Sequence, residues 1–327
     1  MKILVAGGAG YIGSHTVKAL LEEGFDTIIF DDFSTGKRTL IPGGTLVEGD
    51  LMDPAAVRKA FRSHDIGAVL HFASLIQVGE SYEDPQKYYR HNLGTSMNLL
   101  EAMLEAGVRR FIFSSSAAVY GIPQHLPITE DHPVNPYNPY GMTKYMVERV
   151  LQDYDRAYGL RFISLRYFNA SGADPDGRLG EMHDPETHLI PNILLSLLGR
   201  KPILGIFGTD FPTPDGTAIR DYIHVTDLAT AHVLALRALL GDKPSEFINL
   251  GTNLGYSVLE VIQAAERVTG KAIPYKILPR REGDVPVLLA SREKAERVLG
   301  WIPRLSDMET ILRTAWAWHG SQMTDRT

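Results

Sequence analysis

A chain of 327 residues, 44% hydrophobic and 22% charged, can bury a large core and is expected to divide into two domains. Its formal net charge of -6 and the absence of any basic run exclude an electrostatic footprint for nucleic acid or an anionic membrane surface, so no nucleic-acid or membrane partner is expected. With no cysteine, disulfides, thiolate nucleophiles and cysteine-ligated zinc are excluded as well.

Ile3 to Ala6 reads as a short buried strand that stops at once in glycines. That run is too short for a signal-peptide core or a membrane span, and it sets the expectation of a cytoplasmic protein. Ile12, Val17, Leu20 and Leu21 at helical spacing predict a helix ending at Gly24, and a second strand follows at Thr27 to Phe30. Buried-strand signals recur at Thr45 to Val47, Ala68 to Phe72, Arg110 to Phe113 and Phe162 to Leu165, separated by helix-like stretches such as Pro54 to Phe61 and Ser96 to Ala106. This alternation predicts an α/β fold, a Rossmann-type doubly wound parallel sheet. From about Asn169 the chain turns loop-rich, through Gly172 to Asp184 and Phe211 to Gly216, which suggests a smaller substrate-binding domain. The expected boundaries are 1–168 and 169–327, with about 220–250 returning to the first domain, because Phe247 to Leu250 again looks like a buried strand. The polar tail from about Ser321 is expected to be disordered.

Between the first strand and first helix, Gly7-Gly8-Ala9-Gly10-Tyr11-Ile12-Gly13 satisfies G-x-G-x-x-G through Gly8, Gly10 and Gly13. Such glycines permit a tight turn and let backbone N–H groups at a helix N-terminus approach a pyrophosphate. Asp31 ends the second strand, where a carboxylate can accept from both adenosine ribose hydroxyls, and this favours NAD over NADP. Lys37 and Arg38 pull the other way, since a nearby cation can meet a 2′-phosphate. Asp50, after the third strand, suits either the adenine edge or a turn.

Tyr140 and Lys144 form Y-x-x-x-K, which puts phenol and ammonium on one helix face, with Pro136 and Pro139 as a non-helical approach. The spacing alone is weak evidence, because short motifs recur by chance. A tyrosine with a reference pKa near ~10 needs cations against its phenolate to act as a base at neutral pH, and Lys144 and a nicotinamide could supply them. Ser114-Ser115-Ser116 follows the fifth strand at the ligand-facing edge of a parallel sheet, where Ser116 could hydrogen-bond a reacting oxygen.

Longer segments add to these motifs: 113–121 (FSSSAAVYG), Pro139-Tyr140-Gly141, Leu165-Arg166-Tyr167-Phe168-Asn169, Gly205-Ile206-Phe207-Gly208, 220–225 (RDYIHV) and 280–284 (RREGD). With the glycine loop they resemble the extended short-chain dehydrogenase/reductase family, and more closely its UDP-glucose 4-epimerases, through nearly the whole chain. The resemblance implies NAD as cofactor, a UDP-sugar substrate, a homodimer, and inversion at C4 through a 4-keto sugar. It implies Tyr140 as base, Lys144 as its electrostatic partner and Ser116 at the sugar oxygen. The implied NAD contacts are Gly7, Gly10, Tyr11, Ile12, Gly13, Asp31, Asp32, Asp50, Leu51, Phe72, Ala73, Asn92 and Phe168, with Tyr140 and Lys144. The implied nucleotide-sugar contacts are Asn169, His188, Leu189, Ile206, Phe207, Arg220, Arg281 and Asp284, with Ser116 and Tyr140. Arginine forks suit diphosphate oxygens, although an arginine is more often a surface or ion-pair residue.

Two departures bear on the substrate. His188-Leu189 stands where some members carry an asparagine pair, and Leu288 where a bulky tyrosine closes the sugar pocket, so a UDP-N-acetylhexosamine or UDP-pentose is an alternative to a UDP-hexose. A dehydratase needs a further acid just after the serine, where Ala117 and Ala118 stand. A non-catalytic NAD-sensing module is the alternative of a different class. The eleven histidines show no H-E-x-x-H spacing, so no metal is expected.

Overall fold

The computed structural model describes residues 1–281 and 284–322. Seven parallel strands form one sheet: β1 (Lys2–Ala6), β2 (Thr27–Asp31), β3 (Thr45–Glu48), β4 (Ile66–His71), β5 (Arg110–Ser114), β6 (Arg161–Arg166) and β7 (Glu246–Asn249), in the order β7-β6-β5-β4-β1-β2-β3. The order reverses at β1, whose neighbours are β2 and β4. Ligands of open α/β sheets bind at such a switch point, beyond the strands' carboxyl ends.

Strand periodicity explains how a nearly continuous apolar run builds two cores. Ile3 and Val5 of β1 join Val17 and Leu20 of the Tyr11–Glu22 helix and Leu228 and Leu236 of the Val225–Leu240 helix on one face. Leu4 and Ala6 point the other way, to Val57 and Phe61 of Pro54–Ser63, Leu99 of Gly94–Glu105 and Val147 of Pro139–Tyr158. A third core unites the helices Leu189–Leu197, Val258–Thr269 and Met308–Ser321. Short strands beside it pair Leu204–Phe207 with Tyr275–Leu278, and Ile219–Arg220 with Tyr256–Ser257 and Val287–Leu288.

Four local expectations need correction. β3 is not buried: it is the sheet edge, and Leu46 is 37% exposed. β4 starts at Ile66 and ends at His71, so Phe72 lies beyond it, its N–H donating to the Ala6 carbonyl at 2.8 Å. Pro139 is the first residue of its helix rather than part of the approach, as suits a residue with fixed φ and no N–H. Ser321 closes the last helix. The rest of the expected disordered tail, 323–327, lies outside the described residues, as do Glu282 and Gly283.

Candidate active site

A cavity of about 960 Å³ opens over the carboxyl ends of β1, β2, β4 and β5, with the C-terminal lobe as its far wall. Of the NAD and nucleotide-sugar contacts that the resemblance implies, all but Asn92 line it. The Asn92 side chain instead accepts from Leu75 N at 2.8 Å and donates to Leu75 O and Thr143 Oγ1. It ties the loop at Leu75, which lines the cavity, to the Pro139–Tyr158 helix.

The turn after β1 is built for close approach. Gly7 has φ +81, and a Cβ there would lie 2.6 Å from Ala73 N; a Cβ on Gly13 would lie 2.1 Å from Gly7 O. Gly7, Gly10 and Gly13 face the cavity, whereas Gly8 is packed over Val5 and Ile29. The cavity-facing glycines are therefore spaced G-x-x-G-x-x-G. Gly10 caps the Tyr11–Glu22 helix without a side-chain bond, which leaves its first N–H groups for an anion.

Asp31 ends β2 with Oδ2 accepting from Ala9 N and Oδ1 from Phe33 N, both at 2.9 Å. Each carboxylate oxygen keeps a second lone pair for a hydroxyl. Burial raises the Asp31 pKa, and the two backbone bonds oppose it. Arg38 is ion-paired with Glu48 and stacked on Phe33, 4.2 Å from the ring centroid, so its charge is already engaged. The Asp50 side chain accepts from Met52 N at 2.7 Å, the turn reading, while Asp50 also lines the cavity. The open glycine cradle, the uncapped helix start and Asp31 fit a dinucleotide.

Tyr140 and Lys144 occupy the first turns of the Pro139–Tyr158 helix, which starts at Asn138 with its side chain accepting from Gly141 N at 2.7 Å. Gly141 lets the helix press close to the Ala117–Tyr120 turn, since a Cβ there would lie 2.6 Å from Ala118 O. That contact holds the helix start beside Ser116. Burial raises the Tyr140 pKa, and a hydrogen bond with Ser116 pulls it back. Lys144 donates to Ser114 O at 2.9 Å, and burial pushes it down to about 7 against the pull of Glu148. The ammonium lies 5.8 Å from the Tyr140 ring centroid. A cation at the cofactor position would favour the phenolate.

Across the cavity, Arg220 donates to the Ile219 and Val285 carbonyls at 2.9 Å and lies 3.6 Å from Asp284. Arg281 stacks 4.0 Å from the centroid of Phe207, and Asn169 donates to Asp221 O at 2.8 Å, which leaves its amide oxygen free to accept a ligand hydrogen. Two guanidinium groups and an aromatic face suit a diphosphate joined to a planar base. Leu189, Ile206 and Leu288 add apolar wall. The His188 side chain turns onto Glu181 and Glu186, at 2.8 and 2.9 Å; burial lowers its pKa, but these carboxylates override it and hold it well above the imidazole range.

Sequence reading missed the support beneath the helix. Glu148, one turn after Lys144, accepts from Ser115 Oγ and Ser164 Oγ at 2.8 Å and is bound by Arg166 through two nitrogens at 2.9 and 2.7 Å. Both partners are almost wholly buried. The only available signal was a glutamate one turn beyond the Y-x-x-x-K pair.

Fold and cavity together define a Rossmann-type, dinucleotide-dependent enzyme. The sequence profile of the NAD dependent epimerase/dehydratase family matches residues 3–251, and the chain belongs to that family. UDP-glucose 4-epimerase of Lactobacillus helveticus is 49% identical over 322 residues, covering 98% of this chain and 98% of that protein. The crystal structure of UDP-glucose 4-epimerase from Brucella ovis in complex with NAD is similar with TM-score 0.94 at 50% identity, covering 96% of this chain and 97% of that one. The UDP-Glc/GlcNAc 4-epimerase from Campylobacter jejuni is similar with TM-score 0.85 at 40% identity, covering 98% and 99%.

Proposed function

We propose that this chain is an NAD-dependent epimerase that inverts C4 of UDP-hexoses, interconverting UDP-glucose and UDP-galactose through a transient 4-keto sugar. The observation that carries the reading is a single cavity in which Tyr140, Lys144 and Ser116 stand between the glycine cradle and the pair Arg220 and Arg281. Bound NAD supplies reversible hydride transfer at C4. Tyr140 takes the proton of the 4-hydroxyl and returns it, while Ser116 hydrogen-bonds the sugar oxygen. Lys144 contributes positive charge beside the phenol, opposing the burial that raises its pKa. Arg220 and Arg281 hold the diphosphate and uridine end, so the nucleotide stays anchored while the keto sugar turns over. Sparse contacts to the hexose permit that turn.

A dehydratase reading lacks its extra acid, since Ala117 and Ala118 follow Ser116. A sensing module has no need of the Tyr140–Lys144 pair. Leu288 leaves a smaller side chain in the cavity wall than a tyrosine would, so UDP-N-acetylhexosamines belong in the substrate panel. The division at 168/169 and a cytoplasmic homodimer are carried within the same proposal, the assembly state being read by light scattering. Among the described residues no helix is long and apolar enough to cross a membrane.

The test is incubation of purified protein with each UDP-sugar, without added NAD, followed by separation of C4 epimers. Epimerisation with no net NADH release is expected. Tyr140→Phe is expected to keep NAD and lose most turnover; wild-type turnover in that variant removes Tyr140 as the base.

A further inference from the structure

The loop that leads into the Leu189–Leu197 helix gathers Glu181, His183, Glu186 and His188, one donor atom from each, all within 4.8 Å of one another. We propose that this quartet binds one divalent transition-metal ion, zinc being the first candidate, which fixes the 181–188 loop against the dinucleotide turn.

The donor set is the first argument. Two imidazoles and two carboxylates are the nitrogen and oxygen ligands that zinc and its neighbours take, and the two negative charges match a divalent ion. Geometry is the second. Glu181 Oε1 lies 2.9 Å from His183 Nδ1 and 2.8 Å from His188 Nδ1, and Glu186 lies 3.8 Å from His183 Nδ1 and 2.9 Å from His188 Nδ1. Ligands about 2.0–2.1 Å from a tetrahedral ion stand roughly 3.4 Å apart, inside that range of separations, so sub-ångström shifts of the four side chains admit the ion.

Charge is the third argument. Glu181 and Glu186 are 4% and 7% exposed, and among the described residues no lysine or arginine forms an ion pair with either carboxylate. Buried carboxylates need a compensating cation. Two imidazolium protons or one metal ion can supply the charge, and the four donor atoms already lie within 4.8 Å of one another. The surroundings are the fourth. Trp318 Nε1 donates to Glu181 O at 3.1 Å, Lys201 Nζ donates to Glu186 O at 2.6 Å, and the Thr187 and His188 N–H groups donate to Glu186 Oε1 at 2.8 Å. The first two hold the loop backbone and the last two orient the Glu186 carboxylate. Glu181, His183 and His188 line the cavity, which provides an entry path.

The ion would act on the cofactor side through His183, whose ring meets that of Tyr11 edge-on at 6.1 Å, while the Tyr11 hydroxyl donates to Gly172 O at 2.6 Å. The expectation of no metal rested on the lack of H-E-x-x-H; the spacing E-x-H-x-x-E-x-H offers the same ligand types from a loop.

The test strips full-length protein with a chelator, dialyses it against micromolar zinc chloride beside a His183→Ala/Glu186→Gln variant, and reads zinc by mass spectrometry and Tm by calorimetry. The expected result is one zinc per wild-type chain, a zinc-dependent rise in Tm, and affinity weakened by at least about ten- to hundredfold in the variant. Zinc well below one per wild-type chain overturns the proposal and leaves a proton-filled ion-pair cluster. Full occupancy persisting in the variant overturns it too, placing the ion elsewhere. Should the variant not fold, the wild-type titration decides alone, since no bound zinc and no Tm response refute the site.

Discussion

Replacing Arg166 by methionine is the sharpest probe of how the helix bearing Tyr140 and Lys144 is held. The substitution keeps an unbranched side chain between Tyr120 and Phe247, whose ring centroids lie 4.9 and 4.6 Å from the guanidinium carbon. It also strips Glu148 of its only cationic partner within ion-pair distance among the described residues, leaving two serine hydroxyls as donors. Removing one member of a buried pair costs about 3–5 kcal/mol because the other charge stays in a medium that solvates it poorly. At roughly 2 °C per kcal/mol for a chain of this length, Tm should fall by about 6–10 °C. Removing both charges in Arg166→Met/Glu148→Leu withdraws that penalty and leaves the two unpaired hydroxyls, each costing about 1–3 kcal/mol. The double variant should therefore lose less than the sum of the singles, with a coupling energy above about 2 kcal/mol by denaturant titration. Additive losses, or an Arg166→Met cost below about 1 kcal/mol, would refute the view that this pair anchors the helix by mutual charge compensation.

Two further outcomes follow from the geometry. Gly13→Ala places a methyl 2.1 Å from a backbone carbonyl oxygen that cannot swing aside; overpacking of about 1–3 kcal/mol weakens NAD about five- to 150-fold, read by nucleotide co-purification and titration, and unchanged affinity removes the cradle assignment. Acid should destabilise the fold through its buried histidines: burial lowers His15, His224 and His232 to about 4 and His71 to about 3, so their neutral forms are favoured in the fold. Their contribution is complete above the unfolded value near 6.5 and is lost as pH falls toward 4 and 3, whereas Asp221, raised to about 7 by burial, works in the opposite sense over the window from about 4 to 7. Asp31, also raised by burial, joins Asp221 in opposition; the four histidines outweigh these two aspartates, so Tm should drop between about pH 6.5 and 4, and a level Tm across that range sinks the assignment.

The sheet was legible because strands covered on both faces must be apolar at every position, a pattern that few other structures produce. β3 misled for the related reason that a short alternation of threonine, leucine and valine looks the same whether or not a second layer covers it. The turn after β1 and the Tyr140–Lys144 pair were legible because their chemistry is local, set by residues within one or two turns of each other. Glu148 with Arg166, and the 181–188 quartet with Trp318 and Lys201, depend on residues far apart in sequence that only the folded chain brings together.

Strand order has a consequence for how the chain leaves the ribosome. Reading outward from β1, each successive strand is laid against an edge that already exists: β2 and β3 on one side, then β4, β5, β6 and β7 on the other. No strand has to be wedged between two that are already paired. The exception to smooth growth is timing, because the 79 residues from 167 to 245 must be made before β7 can cover β6. During that interval Phe162, Ile163 and Leu165 lie along an open apolar edge. Nascent chains stalled in this stretch are the ones most exposed to pairing with a neighbour and most in need of a chaperone.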